Sequence, residues 1–160
     1  MTPRAIGFDR GSKSIVVIDD ALDLAASVAM MLECEGYSAS FAVTGAAGLE
    51  MALRASTDAV LLDYLLPDMT GVDIAVALRA DPTTRDVHII MCTGTAEETV
   101  RERFCDYDEF FAKPVGHADL MRSLDAAFMP HQQDGSGALP ERRAIAATGE
   151  RTIRSRFSRR

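Results

Sequence analysis

The sequence predicts an α/β fold: a doubly wound five-stranded parallel sheet in the order 2-1-3-4-5, with five helices. Three observations carry that prediction. Between Ser14 and Phe128, short apolar runs alternate five times with longer stretches of helical period, the pattern of consecutive strand-helix units. Several runs are apolar throughout and rich in β-branched residues, as strands covered on both faces are. Acids, a hydroxyl and a lysine fall just where the runs stop, at the edge where a parallel sheet keeps its ligand crevice.

Ser14–Ile18 (SIVVI) is the first strand, ended by Asp19-Asp20. Asp20 or Asp23 could cap the helix that follows, which runs to Glu35 and is stopped by Gly36. Leu22, Ala25, Ala26, Val28, Ala29 and Leu32 form its apolar stripe. Tyr37–Val43 alternates only weakly and reads as a strand near a sheet edge, after which Thr44 caps a second helix to about Arg54. Ala59–Leu62 is a short, fully apolar third strand between Asp58 and Asp63. The loop LLPDMTG follows, punctuated by Pro67 and Gly71, then a helix from Val72 to Arg79 that stops ahead of Asp81-Pro82. Val87–Cys92 is the fourth strand, with a short helix around Thr99–Phe104 after it. Glu109–Ala112 is the fifth strand, and Ala118–Phe128 the fifth helix, its inward stripe Leu120, Met121, Leu124, Ala127 and Phe128. Five such strands fit the flavodoxin-like order, whose crevice lies at the carboxyl ends of strands one and three.

Composition narrows the function classes. The 160 residues, 48% hydrophobic and 26% charged, suffice for one ordinary domain. Charge is unevenly spread: residues 1–130 hold 10 basic and 21 acidic side chains, a net of −11, while residues 131–160 hold 7 Arg and 3 acids, a net of +4. The organisation expected is a loose arm over 1–13, a folded domain over 14–129 and a basic tail over 130–160. Bulk nucleic-acid or anionic-membrane binding does not suit the acidic domain, and only the tail could contact nucleic acid or an acidic partner. No run approaches the roughly 18 apolar residues of a membrane span, and the amino terminus lacks a signal-like apolar stretch. A cytoplasmic protein is expected. Cys34, Cys92 and Cys105 form no C-x-x-C pair, and His88, His117 and His131 share no metal-ligand spacing.

The residues at the strand ends carry the chemistry. Three carboxylates, Asp19, Asp20 and Asp63, converging on one crevice cannot all stay ionised without a cation. Oxygen donors of this kind suit Mg²⁺, which bridges readily to phosphate. Thr93 and Lys113, at the ends of strands four and five, supply a hydroxyl and an ammonium for the other oxygens of a phosphoryl group. Asp63, at the centre, is the candidate nucleophile.

Four pieces then resemble the receiver domain of two-component response regulators, over about Ser14–Phe128: IDD (Ile18–Asp20), LLDYLLPDMTG (Leu61–Gly71), MCTG (Met91–Gly94) and FFAKP (Phe110–Pro114). The resemblance implies that Asp63 is the phospho-acceptor, Asp20 a direct Mg²⁺ ligand, Asp19 a second acid acting largely through water, and the main-chain carbonyl of Leu65 a further ligand. It implies that Thr93 turns toward the phosphoryl oxygens, that Lys113 pairs with them, and that Lys113-Pro114 is a cis peptide. Phe110 stands where the family carries a rotamer switch, here without a phenolic hydroxyl, so plain core packing remains open for it. His117 is read as the start of the fifth helix.

The expected function is that of a stand-alone, chemotaxis-regulator-like receiver, since 32 residues after Phe128 are too few for the family's usual output domain. Such a protein is a phospho-accepting switch and not an enzyme, with self-phosphorylation from small donors and self-dephosphorylation. A histidine kinase or His-phosphotransfer protein would phosphorylate it, and a protein partner would read the face of helix four, strand five and helix five. A homodimer through that face is implied by resemblance alone. A phosphorylation-independent scaffold is the alternative that the intact acids, Thr93 and Lys113 argue against. Leu65 and Thr95 flank the approach of an attacking water, and an apolar Leu65 cannot orient it.

Overall fold

The structure, a computed structural model, describes Arg10, residues 13–54 and residues 56–129. The basic tail lies outside the described residues, as does the arm except for Arg10 and Lys13. The elements are β1 (Ser14–Ile18), α1 (Leu22–Cys34), β2 (Ser38–Ala42), α2 (Gly45–Arg54), β3 (Ala59–Leu62), α3 (Gly71–Ala80), β4 (His88–Thr93), α4 (Glu97–Arg101), β5 (Glu109–Ala112) and α5 (His117–Phe128). All strand pairs are parallel and the order is β2-β1-β3-β4-β5. The predicted topology is the observed one, with β2 on an edge.

Two-residue alternation along the strands sorts the core into two layers. Val16, Ile18, Val60, Leu62, Ile89 and Met91 face α2, α3 and α4. Ile15, Val17, Leu61, Ile90 and Cys92 face α1 and α5. Because both faces are covered, the central strands β1, β3 and β4 are apolar at nearly every position and period alone does not say which side chain points where.

The differences from expectation are local and have causes. No side chain caps α1; its N-cap is Ala21, and neither Asp20 nor Asp23 does the work. Asp19 Oδ1 instead accepts the Ala21 N–H at 3.0 Å. Leu22 is 57% exposed, outside the stripe assigned to it. Gly36 ends the helix at φ 93°, the left-handed conformation that Gly adopts without strain. The fourth helix starts earlier than expected, at Glu97, so that Glu97 and Glu98 occupy its first turn, where negative charge suits the helix dipole. Ala127 is exposed, since α5 buries Leu120, Met121 and Leu124.

Long-range polar ties fix the ends of these elements. The Arg10 guanidinium forks onto Asp125 of α5 at 2.6–3.1 Å and donates to the Glu35 carbonyl at 3.2 Å. Arg79 of α3 donates to the carbonyls of Arg85 and Val87 and to the Asp108 carboxylate, pinning the approach to β4 and β5. None of the described helices is long and apolar enough to cross a membrane.

Candidate functional site

Sheet hydrogen bonds that continue one residue past the strands build the site. The Asp63 N–H donates to the Ile18 carbonyl at 2.9 Å, and the Asp19 N–H to the Ala42 carbonyl at 3.1 Å. Since Ile18 pairs with Leu62 across β1 and β3, Asp19 and Asp63 emerge side by side. On the other side, the Lys113 N–H donates to the Thr93 carbonyl at 2.9 Å, setting Lys113 beside Thr93. The structure thus brings Asp19, Asp20, Asp63, Thr93 and Lys113 to the carboxyl edge of four strands.

One carboxylate oxygen from each of Asp19, Asp20 and Asp63 lies within 4.8 Å of the others. Asp19 and Asp63 are buried, at 5% and 8% exposure, and Asp20 is exposed. Lys113 Nζ bridges the buried pair, donating to Asp19 Oδ2 at 2.5 Å and to Asp63 Oδ2 at 2.6 Å. Lys113 thus supplies part of the positive charge that the clustered carboxylates require, in addition to the ammonium expected to face a phosphoryl group. Burial pushes its pKa down, but the bonds to Asp19 and Asp63 outweigh this and hold it above the ordinary lysine value. With a raised pKa, the stabilisation from this ammonium is complete at neutral pH and is lost only as pH climbs through the raised value.

The three-acid cluster passes the test for a hard divalent ion: its donors are all carboxylate oxygens, they converge, and Asp20 opens toward solvent, where retained waters can complete a shell. Leu65, whose carbonyl is the further candidate donor, is held by its own N–H, which donates to Asp63 Oδ1 at 3.4 Å, and by a bridge to Thr70.

Thr93 is 1% exposed, and its Oγ1 accepts the Thr95 N–H at 3.2 Å. Phe110 is partly buried against the α2-α3-α4 layer, its ring 6.2 Å from that of Tyr107. The Tyr107 hydroxyl donates to Glu97 Oε1 at 2.9 Å and accepts from Arg101 Nε at 3.0 Å, so aromatic packing at β5 reaches α4 through two hydrogen bonds. The Lys113-Pro114 peptide is cis, and His117 opens α5 with Nε2 3.0 Å from Glu35 Oε1.

Two supports escaped sequence reasoning. Asp68 caps α2 from a distance, accepting the Gly45 and Ala46 N–H groups at 2.7 and 2.8 Å, so the loop that carries Asp63 is moored to a second helix. The Ala46 and Gly45 amides hold the Asp68 carboxyl below its ordinary pKa, so this cap persists as pH falls through the ordinary carboxylate range and fails only below it. Gly71 punctuates the loop in the sequence, yet a Cβ built there would lie 2.2 Å from the Asp63 carbonyl oxygen. The LPDMTG string signalled both residues, but not what they touch.

Comparison with known proteins agrees with this geometry. A family model described as the response regulator receiver domain matches residues 15–125. The transcriptional regulatory protein PrrA of Mycobacterium tuberculosis is 30% identical over 115 residues, 72% of this chain and 49% of PrrA. The phosphate regulon regulator PhoB of Pseudomonas aeruginosa is 29% identical over 116 residues, 71% of this chain and 51% of PhoB. The chain therefore spans about half the length of these curated relatives. Among solved structures, a CheY-like receiver domain protein from Methanospirillum hungatei is similar at TM-score 0.65 and 30% identity, covering 72% of this chain and 93% of that one. The receiver domain of the sensor histidine kinase PA1611 from Pseudomonas aeruginosa, with a magnesium ion coordinated in its active site cleft, is similar at TM-score 0.67 and 28% identity, covering 72% and 97%. Since the matched residues take in nearly the whole sheet and most of α5, the chain belongs to the response regulator receiver domain family of two-component systems.

Proposed function

We propose that the chain accepts a phosphoryl group on Asp63 from a phosphohistidine, supplied by a histidine kinase or a His-phosphotransfer protein in the cytoplasm. The observation that carries this reading is the Lys113 ammonium held between the Asp19 and Asp63 carboxylates at 2.5 and 2.6 Å, with Thr93 beside Lys113 at the end of β4. An Asp63 carboxylate oxygen attacks phosphorus while the P–N bond to the donor imidazole breaks, its electron pair remaining on the ring nitrogen. Lys113 offsets charge on the nucleophile and then on the phosphoryl oxygens. Asp19, Asp20, Asp63 and the Leu65 carbonyl would hold Mg²⁺, which supplies charge neutralisation on the transferring group. The protein acts as a switch whose own Asp63 is the substrate, with no other substrate to turn over.

The output follows from Thr93. A phosphoryl group on Asp63 offers its hydroxyl a charged partner in place of the Thr95 N–H. Thr93 moves, Phe110 fills the space it leaves, and the Tyr107–Glu97 bond transmits the change to α4. A protein partner, or a second copy, that binds the α4-β5-α5 face differently in the two states reads the signal.

The test is to add acetyl phosphate and Mg²⁺ and weigh the intact protein. One added phosphoryl group is expected on the wild type and none on Asp63→Asn; a folded wild type that gains none overturns the proposal. Leu65, 61% exposed and apolar, offers no hydrogen bond to a water attacking the acyl phosphate. Phospho-Leu65→Asn is expected to decay about tenfold faster than the wild type, since a positioned polar group contributes on this order or more. Decay as fast in the wild type would remove this account of Leu65.

A further inference from the structure

We propose that the cavity between α1 and α5 binds a small amphipathic cation, an apolar ring system bearing a protonated amine, and that this ligand shuts the phosphoryl site. The cavity measures about 440 Å³, with walls from Leu24, Val28 and Met31 of α1, Leu120 of α5, and Leu61 and Cys92 of the sheet. Protein interiors are close-packed and hold few voids larger than a water. Small-molecule sites, by contrast, run from roughly 300 to 1,000 Å³ and are apolar with a few placed polar groups.

Here those polar groups are Asp19, Asp63 and Lys113, joined to one another at one end of the lining, and His117, whose Nε2 lies 3.0 Å from Glu35 Oε1. Two carboxylates face one ammonium, and Asp20 lies close enough to share a cation with both. The end is therefore short of positive charge, so an ammonium head is complementary and a carboxylate head is repelled. Leu24 is 43% exposed and Val28 and Met31 are only partly buried, so the α1 wall leaves a way in. A ring among these side chains would place its amine on the oxygens that Asp63 and Asp19 use for phosphoryl and metal. The shut-off half of the proposal rests on the phospho-acceptor reading above; the binding half does not.

The probe is 2-naphthylmethylamine, titrated into the full chain without Mg²⁺ and followed by calorimetry and by ¹⁵N amide spectra. Saturable binding below about 1 mM is expected, with shifts along α1 and the start of α5. Binding is expected to weaken at least tenfold for 2-naphthoate, for Val28→Phe, which fills the cavity, and for Leu24→Lys, an exposed position that leaves the core intact. Added Mg²⁺ should also weaken it, and the amine should slow labelling by acetyl phosphate in the wild type more than in Val28→Phe. Absence of saturable binding, equal affinity for the naphthoate, or unchanged affinity in both variants overturns the site. Binding that leaves labelling untouched overturns the shut-off. Failure of labelling without any amine would instead refute the phospho-acceptor reading and leave the binding result standing.

Discussion

Lys113→Met is expected to lose about 3 kcal/mol of stability in urea denaturation with EDTA present, and to regain much of it on addition of Mg²⁺. The Lys113 ammonium is the partner of two carboxylates whose side chains are 8% and 10% exposed. Removing one member of a buried ionic group leaves charge that neither water nor protein compensates, a change that costs roughly 3–5 kcal/mol where burial is complete. Lys113 itself keeps 23% of its side chain exposed, which places the effect at the low end. Met preserves the aliphatic stem, so packing changes little and the loss reports on charge. A divalent ion bound by the native state then stabilises it by mass action. Equal stability of wild type and variant in EDTA would show that the acids do not depend on Lys113.

Gly71→Ala is expected to lower stability by about 3 kcal/mol and to slow labelling by acetyl phosphate by 10- to 100-fold. The reason is close approach, not backbone conformation. The added methyl would sit 2.2 Å from the Asp63 carbonyl oxygen and 3.1 Å from Leu62 Cγ. A main-chain oxygen cannot rotate away as a flexible side chain can, so the loop must shift, breaking the Gly71 N–H bond to the Tyr64 carbonyl at 2.8 Å. Overpacking costs typically 1–3 kcal/mol, and about 1 Å of displacement at a reacting group can cost on the order of a hundredfold in rate. Asp63 and Leu65 belong to the stretch that moves, so stability and chemistry should fall together. An unchanged labelling rate in a destabilised variant would separate them.

These expectations combine what the sequence made legible with what it did not. β1, β3 and β5 coincide with the apolar runs residue for residue, because a short run bounded by polar residues has few other ways to bury itself. Asp19, Asp20, Asp63, Thr93 and Lys113 were legible as a set because parallel topology turns positions at strand ends into neighbours in space. Contacts between residues far apart in the chain left no local signal. Asp68 capping α2, Arg10 reaching Asp125 and Arg79 gathering the carbonyls before β4 each satisfy a need that arises only after the chain has packed. The same holds for the α1 cap: Asp20 and Asp23 have the right composition, but the Ala21 N–H faces Asp19. The early start of α4 depends on two glutamates whose preference for a first turn outweighed the apolar spacing further on.

Cys92 extends the account of the α1-α5 layer from equilibrium to rates. Burial pushes its thiol up to about 12, so at neutral pH almost none of it is the thiolate that reacts with alkylating reagents. Cys34 and Cys105 are exposed and should be consumed first by iodoacetamide. Later modification then counts reagent that reaches the cavity wall, through the opening beside Leu24 or when α1 or α5 lifts off the sheet. The molecule thus carries its own clock for access to that layer, and the lag between the exposed thiols and Cys92, read by mass spectrometry, measures how readily a small reagent gets in.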